Sequence, residues 1–327
     1  MKNILRLTML FFALATLLVG CTLDGPTSSE ESATTEEEST NESTTDQITI
    51  GATTVTLRHQ FFIEMDEGMK EAALEKNVNL IVNDPNVDAQ KQIAAIEDFI
   101  QQGVKGLVVV GTDPSAIVPA VDEAAAKMPI VTIDMQLNTD SVDSFVGTLN
   151  DEAGKKLGEH TRAYIEKELG GVAKIAVVTW LESSIQRQRI EGFLSAFEGM
   201  DGVTILNPQP GYDREESMNT VENILQADKD INIIYATAEN SVLGSMAATE
   251  SANRKDVKIV GFDLTKEAAD GIVDGKILSM IQQQPREMGR QAIYAILDKI
   301  NGKEIDSNIP IPVLLYDKDN VADFLNQ

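Results

Sequence analysis

The chain has 327 residues, and 27 Lys and Arg against 52 Asp and Glu leave a formal charge of −25 at pH 7. A field of that sign repels nucleic acid and anionic lipid headgroups, which excludes both as partners. The single cysteine excludes an intramolecular disulfide, and past the N-terminal segment no stretch approaches the about 18 consecutive apolar residues of a membrane span.

The first element is an export signal. Lys2 and Arg6 precede the apolar run Leu7–Val19, and a small residue, Gly20, stands before Cys21. The run is shorter than the about 20 residues a spanning helix needs. Leu18-Val19-Gly20-Cys21 resembles the lipobox of bacterial lipoproteins, which implies cleavage before Cys21 and diacylglyceryl modification of its sulfur. Residues 1–20 are then the signal peptide, and the protein works outside the cytoplasm, lipid-anchored to the cell membrane. The segment 21–46 is almost entirely Ser, Thr, Glu, Asp, Asn, Gly and Pro, with acidic residues and no basic one. It cannot bury enough apolar surface to offset its ordering entropy, and it reads as a disordered, self-repelling leash.

From about Gln47 onward, apolar strand-like runs alternate with amphipathic helical ones. Ile48–Leu57 reads as a strand and Phe61–Lys76 as a helix with Phe61, Met65, Met69, Ala72 and Ala73 on one face. Val78–Val82 is a strand, Ala89–Gln101 a helix, and Leu107–Val110 and Ile130–Ile133 are strands around a helix over Ile117–Lys127. Asp113-Pro114 reads as the cap and first turn of that helix. Further strands follow at Lys174–Thr179, Ile205, Ile231–Tyr235, Val257–Gly261 and Ile277–Ile281. Helices lie between them at Glu152–Leu169, Arg187–Phe197, Glu216–Gln226 and Val242–Asn253. Continuous Val and Ile runs separated by helices imply parallel strands buried on both faces, hence a doubly wound α/β architecture.

Such a sheet places its ligand beyond the carboxyl ends of its strands. The residues there form a distinctive set: Arg58-His59-Gln60-Phe61-Phe62, Asp134, Trp180, Arg187 and Arg189, Tyr212-Asp213-Arg214, Glu239-Asn240, Asp263 and Gln282-Gln283-Gln284. Aromatic faces against C–H groups, and paired carboxylates and guanidinium groups against hydroxyls, suit a neutral polyhydroxylated ligand.

The order of these motifs resembles the type I periplasmic binding proteins, in the ribose-binding branch that serves ABC importers. The motifs are Phe61-Phe62, Thr132-Ile133-Asp134, Arg187 in Arg-x-x-x-Glu-Gly-Phe, Tyr212-Asp213-Arg214, Gly261-Phe262-Asp263-x-Thr265, and Gln283 before Pro285. The resemblance implies two Rossmann-like lobes, 47–150 plus 284–312 and 151–283 plus 313–327, joined by three crossovers and closing on a monosaccharide. It implies ligand roles for His59, Phe61, Phe62, Asp134, Arg187, Tyr212, Glu239, Asp263 and Gln283. Of the two phenylalanines, one is expected in the core and one in contact with ligand. Arg189 is expected in a surface ion pair. The implied partner is a membrane permease, the chain is expected to be monomeric, and no cofactor or metal is implied; the two histidines, His59 and His160, fall on separate elements.

Three positions depart from the family pattern: Met135 stands where an arginine usually follows the first aspartate, Ala238 where an asparagine is usual, and Val55 where a small hydroxyl residue is usual. A ligand needing those groups would leave hydroxyls unpaired, so the pattern points away from ribose itself, toward a deoxy-sugar, another pentose, a modified hexose or a furanone-type signal such as autoinducer-2. The chain lacks a Gly-rich phosphate loop, Gly-x-Ser-x-Gly and Cys/His metal spacing, and it is read as a binding protein rather than an enzyme. A ligand-sensing receptor that signals to a chemoreceptor or histidine kinase is the alternative to transport.

Overall fold

The computed structural model describes residues 47–326. In chain order come β1 (Thr49–Thr53), α1 (Gln60–Glu75), β2 (Asn79–Asn83), α2 (Ala89–Gln102), β3 (Gly106–Val109), α3 (Val118–Ala125), β4 (Ile130–Ile133) and β5 (Ser144–Gly147). Then follow α4 (Asn150–Glu168), β6 (Ala173–Thr179), α5 (Ser184–Ser195), β7 (Val203–Ile205), β8 (Gln209–Pro210), α6 (Arg214–Ala227), β9 (Ile233–Ala236), α7 (Glu239–Ser251), β10 (Lys258–Phe262), α8 (Lys266–Val273) and β11 (Ile277–Gln282). The chain closes with α9 (Pro285–Ile300), β12 (Asn308–Pro310), β13 (Leu314–Asp317) and α10 (Val321–Leu325).

These strands build two sheets. The first runs β12-β5-β4-β3-β1-β2, and the second β13-β11-β10-β9-β6-β7 with β8 beside β6. All pairings are parallel except β11 with the edge strand β13, which is antiparallel. That exception departs from the all-parallel expectation: β13 re-enters the second sheet by the crossing after β12 and pairs with β11 in the opposite sense. The chain passes from one sheet to the other between β5 and α4, between β11 and α9, and between β12 and β13.

Each lobe is a sheet with helices on both faces, and side-chain alternation assigns the faces. In the first lobe Ile50, Ala52, Val108 and Val131 pack with Met65, Met69, Met288 and Ile293 of α1 and α9. Leu107, Val109 and Ile130 pack on the opposite face with Ile96, Phe99 and Val121 of α2 and α3. In the second lobe Ile175 and Val177 face α4 and α5, with Leu157, Ile190 and Phe193, while Ala176 and Val178 face α6 and α7. Burial on both faces explains the unbroken apolar strands, and each such Val, Ile or Leu contributes about 1.5–3 kcal/mol.

Two helix pairs approach so closely that only glycine fits. A Cβ at Gly68 of α1 would lie 1.9 Å from the Arg286 carbonyl oxygen, and one at Gly289 of α9 would lie 2.1 Å from that of Met65. The second lobe repeats the device in α4 and α5 with Gly154 and Gly192. Asp113 caps a turn rather than the third helix. Its carboxylate accepts from the Ser115 and Ala116 amides, and α3 begins a turn later with Pro119 in its first positions.

Candidate functional site

The carboxyl ends of both sheets face one cleft of about 390 Å³, inside the range of small-molecule sites. Its first-lobe wall comes from the loop after β1, the start of α1 and the residue after β4; its second-lobe wall follows β6, β9 and β10, with Gln282 and Gln283 between the two. Asp134 and Asp263 occupy equivalent places. Each directly ends a strand in the left-handed region, with φ of 65° and 67°, a conformation Asp tolerates better than most residues. Each donates its amide to the neighbouring strand, Asp134 to the Val146 carbonyl at 3.0 Å and Asp263 to that of Ile281 at 2.8 Å. The backbone turns away there and both residues line the cleft.

The second-lobe wall is a bonded assembly around Arg189. The α4–α5 contact at Gly154 and Gly192 brings the helix in so that Arg189, 4 % exposed, lies under the cleft floor. Its guanidinium group stacks over Phe262 at 4.3 Å. It donates to Asn150 Oδ1 at 2.9 Å, to the Thr237 carbonyl at 2.9 Å and to Asp263 Oδ2 at 3.3 Å. The other Asp263 oxygen accepts from Gln283 Nε2 at 2.7 Å, and Gln283 Oε1 accepts from the Thr148 hydroxyl at 2.9 Å. Gln186 holds the strand ends together, since its Oε1 accepts from the hydroxyls of Thr179 and Thr237 and from the Trp180 amide.

Aromatic rings stand on both walls. Phe61 and Phe62 meet edge to face at 5.3 Å, and both line the cleft while resting on the first-lobe core. Neither is fully core, against the expectation for one of them: the start of α1 forms part of the first-lobe wall, and both consecutive rings are partly buried and line the cleft. Across from them Trp180 meets Tyr212 edge to face at 5.1 Å. His59 caps α1, its Nδ1 accepting the Phe61 amide at 3.3 Å. Its Nε2 lies 3.9 Å from the Glu239 carboxylate, which belongs to the other lobe.

Burial pushes the Asp134 carboxyl up to about 6, with nearby Asp263 adding to the rise and Arg189 opposing it. Burial likewise raises Glu239 above the usual carboxylate range, against the pull of His59. Carboxylates short of partners therefore stand on both walls. Among the described residues no group of His, Cys, Asp and Glu is arranged to hold a metal ion.

Of the residues singled out from the sequence, His59, Phe61, Phe62, Asp134, Tyr212, Glu239, Asp263 and Gln283 line this cleft. Arg187 does not: it is exposed on α5, and Arg189 takes the place assigned to it. The reason is helical phase. Arg189 is one turn before Phe193 and shares its buried face, whereas Arg187 lies about 200° around the helix from Arg189. The expected surface ion pair for Arg189 is accordingly replaced by a buried one with Asp263. Ala238 is on the cleft wall, while Met135 and Val55 are not among its lining residues. Glu64, Ser183, Ile185 and Gln186 line it without having been anticipated. Ser183 carries a readable signal, as an N-cap before a helix that opens at a strand end. Cys21 and the leash lie outside the described residues.

The periplasmic binding protein domain family matches residues 50–304. The ribose import binding protein RbsB of Bacillus subtilis is 33% identical over 302 residues, covering 91% of this chain and 94% of that protein. The Escherichia coli RbsB is 29% identical over 272 residues, covering 83% and 90%. Among solved structures, an Actinobacillus succinogenes ABC transporter solute-binding protein with bound D-allose superposes with a TM-score of 0.76 at 26% identity, covering 85% of this chain and 100% of that one. A periplasmic ribose ABC transporter protein from Conexibacter woesei gives 0.77 at 25%, covering 86% and 95%.

Proposed function

The chain belongs to the periplasmic binding protein family, and from that membership we propose that it captures a monosaccharide-like ligand between its lobes and hands it to the permease of an ABC importer. The observation that carries this reading is the composition of the cleft: a phenylalanine pair and Asp134 on one wall oppose Trp180, Tyr212 and the Arg189–Asp263 pair on the other. Rings cover the C–H faces of a sugar, and the charged pair makes charge-assisted hydrogen bonds to its hydroxyls.

His59, Phe61, Phe62 and Asp134 form the first half of the site; Arg189, Tyr212, Glu239 and Asp263 form the second, with Gln283 at the hinge. The lobes are 47–150 plus 284–312 and 151–283 plus 313–327, and they close by rotation about the three crossings. Only the closed state makes both sets of contacts, so ligand shifts the population toward it, and the permease recognises that state. Cys21 carries the lipid that keeps the protein, a monomer, at the membrane surface. Two acyl chains anchor durably where one is marginal, and tethering raises the effective concentration at the permease. Replacing Cys21 by Ser abolishes membrane partitioning in this reading; a Cys21→Ser chain that still sediments with membranes refutes the anchor.

A thermal-shift panel of pentoses, hexoses, deoxy-sugars, polyols and autoinducer-2 on ligand-stripped protein tests the binding. A ligand at about 100 times its dissociation constant adds about 2.7 kcal/mol, a rise of several degrees in Tm that Asp263→Ala removes. Silence across the panel, or a rise untouched by Asp263→Ala, overturns the assignment.

A further inference from the structure

The cleft is unbalanced in charge. Four carboxylates line it, from Glu64, Asp134, Glu239 and Asp263, against one guanidinium group, that of Arg189. Arg189 spends its Nε and Nη1 hydrogens on Asn150, the Thr237 carbonyl and Asp263, and among the described residues none of its hydrogen bonds reaches Asp134, on which it acts through its field alone. Asp263 accepts from both Arg189 and Gln283, and Glu64 accepts from Gln60 at 3.0 Å. Among the described residues Glu239 is approached by the His59 ring, at 3.9 Å. Asp134 has less: its surroundings contribute burial and the fields of Arg189 and Asp263, and no hydrogen bond reaches its carboxylate among the described residues. The next side chain, Met135, brings no charge.

We propose that the ligand carries an ammonium group, as an amino sugar or aminocyclitol does, and that the Asp134 carboxylate receives it. The proposal rests on the reading of the cleft as a sugar site and specifies the class of sugar. When the lobes close, Asp134 loses the water that still reaches it. A hydroxyl offers it one neutral hydrogen bond, which leaves a charge in a low-dielectric cavity at a cost of several kcal/mol. An ammonium group supplies the opposite charge and three donors at once. The remaining pieces agree with a cationic solute. The Arg189–Asp263 pair and the aromatic walls suit the neutral hydroxyls and ring faces of the same molecule. Glu239 adds negative potential from the opposite lobe, and the net charge of −25 draws a small cation toward the cleft. This departs from the neutral ligand suggested by the residue types alone, because the sequence does not reveal that the arginine lining the cleft is paired with Asp263 and not with Asp134.

Calorimetric titration of the purified full chain, stripped of ligand, at neutral pH tests the proposal. The probes are D-glucosamine, D-galactosamine and scyllo-inosamine, each against the matching hydroxyl compound and its N-acetyl derivative, which keeps the shape and removes the charge. The expected result is an amine that binds at least about ten-fold more tightly than both neutral counterparts, a difference of about 1.4 kcal/mol, with the margin collapsing in Asp134→Asn. A neutral member that binds as tightly as its amine, or a margin that survives Asp134→Asn, overturns the ammonium proposal and leaves the sugar site standing. No binding by any member, charged or neutral, overturns the ammonium proposal, and the sugar site falls with it only if the wider panel of pentoses, deoxy-sugars and polyols is silent too.

Discussion

Replacing Asp134 by Asn should make the ligand-free protein more stable, and the gain should grow with pH in a defined window. The Asp134 carboxyl goes from 3.8 in an ordinary setting to about 6 in the fold, because burial disfavours the charge, Asp263 repels it and Arg189 only partly compensates. A raised carboxyl means that the folded state binds more protons than the unfolded state between those values. Stability therefore falls as pH rises from about 4 to about 6 and stays lowered above. At about 1.36 kcal/mol per pH unit, the gap is worth at most about 3 kcal/mol. Asp134 is only half-buried, so solvent screening reduces this to about 1–2 kcal/mol. Asn keeps the shape and cannot ionise. Urea unfolding of both chains across this range, followed by the emission of Trp180, the single tryptophan, isolates the effect, since every other titrating group is common to both. The curves should coincide near pH 4 and diverge in favour of the Asp134→Asn chain up to about pH 7. A variant no more stable than the parent at about pH 8, or a gap independent of pH, would show that the carboxylate carries no uncompensated desolvation cost.

The two arginines of α5 should behave oppositely. Arg189→Met removes a buried cation and strands Asp263, which should cost about 3 kcal/mol and abolish sugar binding, whereas the exposed Arg187→Ala should stay within about 0.5 kcal/mol and bind normally; equal effects in unfolding and titration would return Arg187 to the site. Gly192→Ala places a Cβ 1.8 Å from the Asp151 carbonyl oxygen and should cost about 1–3 kcal/mol as α4 and α5 are forced apart, with a matching drop in Tm; an unchanged Tm would mean that this contact is looser than described. Trp180 is 42% exposed beside Tyr212, so saturating ligand should shift its emission to shorter wavelength. Emission that ignores bound ligand would place Trp180 outside the closed interface.

The strands were legible because a sheet buried on both faces demands apolar residues without interruption, and Leu107–Val109 or Ile175–Val178 can satisfy that in no other way. Asp134 and Asp263 were legible for the same reason, each being the first charged residue after such a run. The arginine was misplaced because motif spacing alone left two candidates two residues apart. The phase set by Ile190 and Phe193, both buried, decides between them. β5, β8, β12 and β13 went unread: Gln209–Pro210, Asn308–Pro310 and Leu314–Asp317 are short and largely exposed, while Ser144–Gly147, though buried, offers only Phe145 and Val146 as an apolar run. Gln186 was invisible for a different reason, since its value lies in Thr179 and Thr237, brought to it by the pairing of β6 with β9.

The two walls of the cleft differ in readiness, and this bears on how ligand is captured. On the second-lobe side Thr148, Gln283, Asp263, Arg189 and Asn150 are joined in one run of hydrogen bonds. Thr148 and Asn150 belong to the first crossing and Gln283 to the second, which Gln284 ties to the third through the Pro312 carbonyl at 2.6 Å. Groups held from both sides lose little freedom on binding, so this wall is preorganised to receive hydroxyls. Asp134 on the first-lobe wall has no such bonds to its carboxylate among the described residues, and in the proposed reading its partner comes from the ligand. Capture on the second lobe followed by closure onto Asp134 is the order this asymmetry favours. In stopped-flow kinetics with any ligand found, Asp134→Asn should then leave association nearly unchanged and speed dissociation, and a variant slowed in association with normal dissociation would reverse the order. In the proposed reading the residues that grip the ligand also brace the crossings, so the contact free energy would act directly on the segments that rotate, with no separate relay between site and hinge.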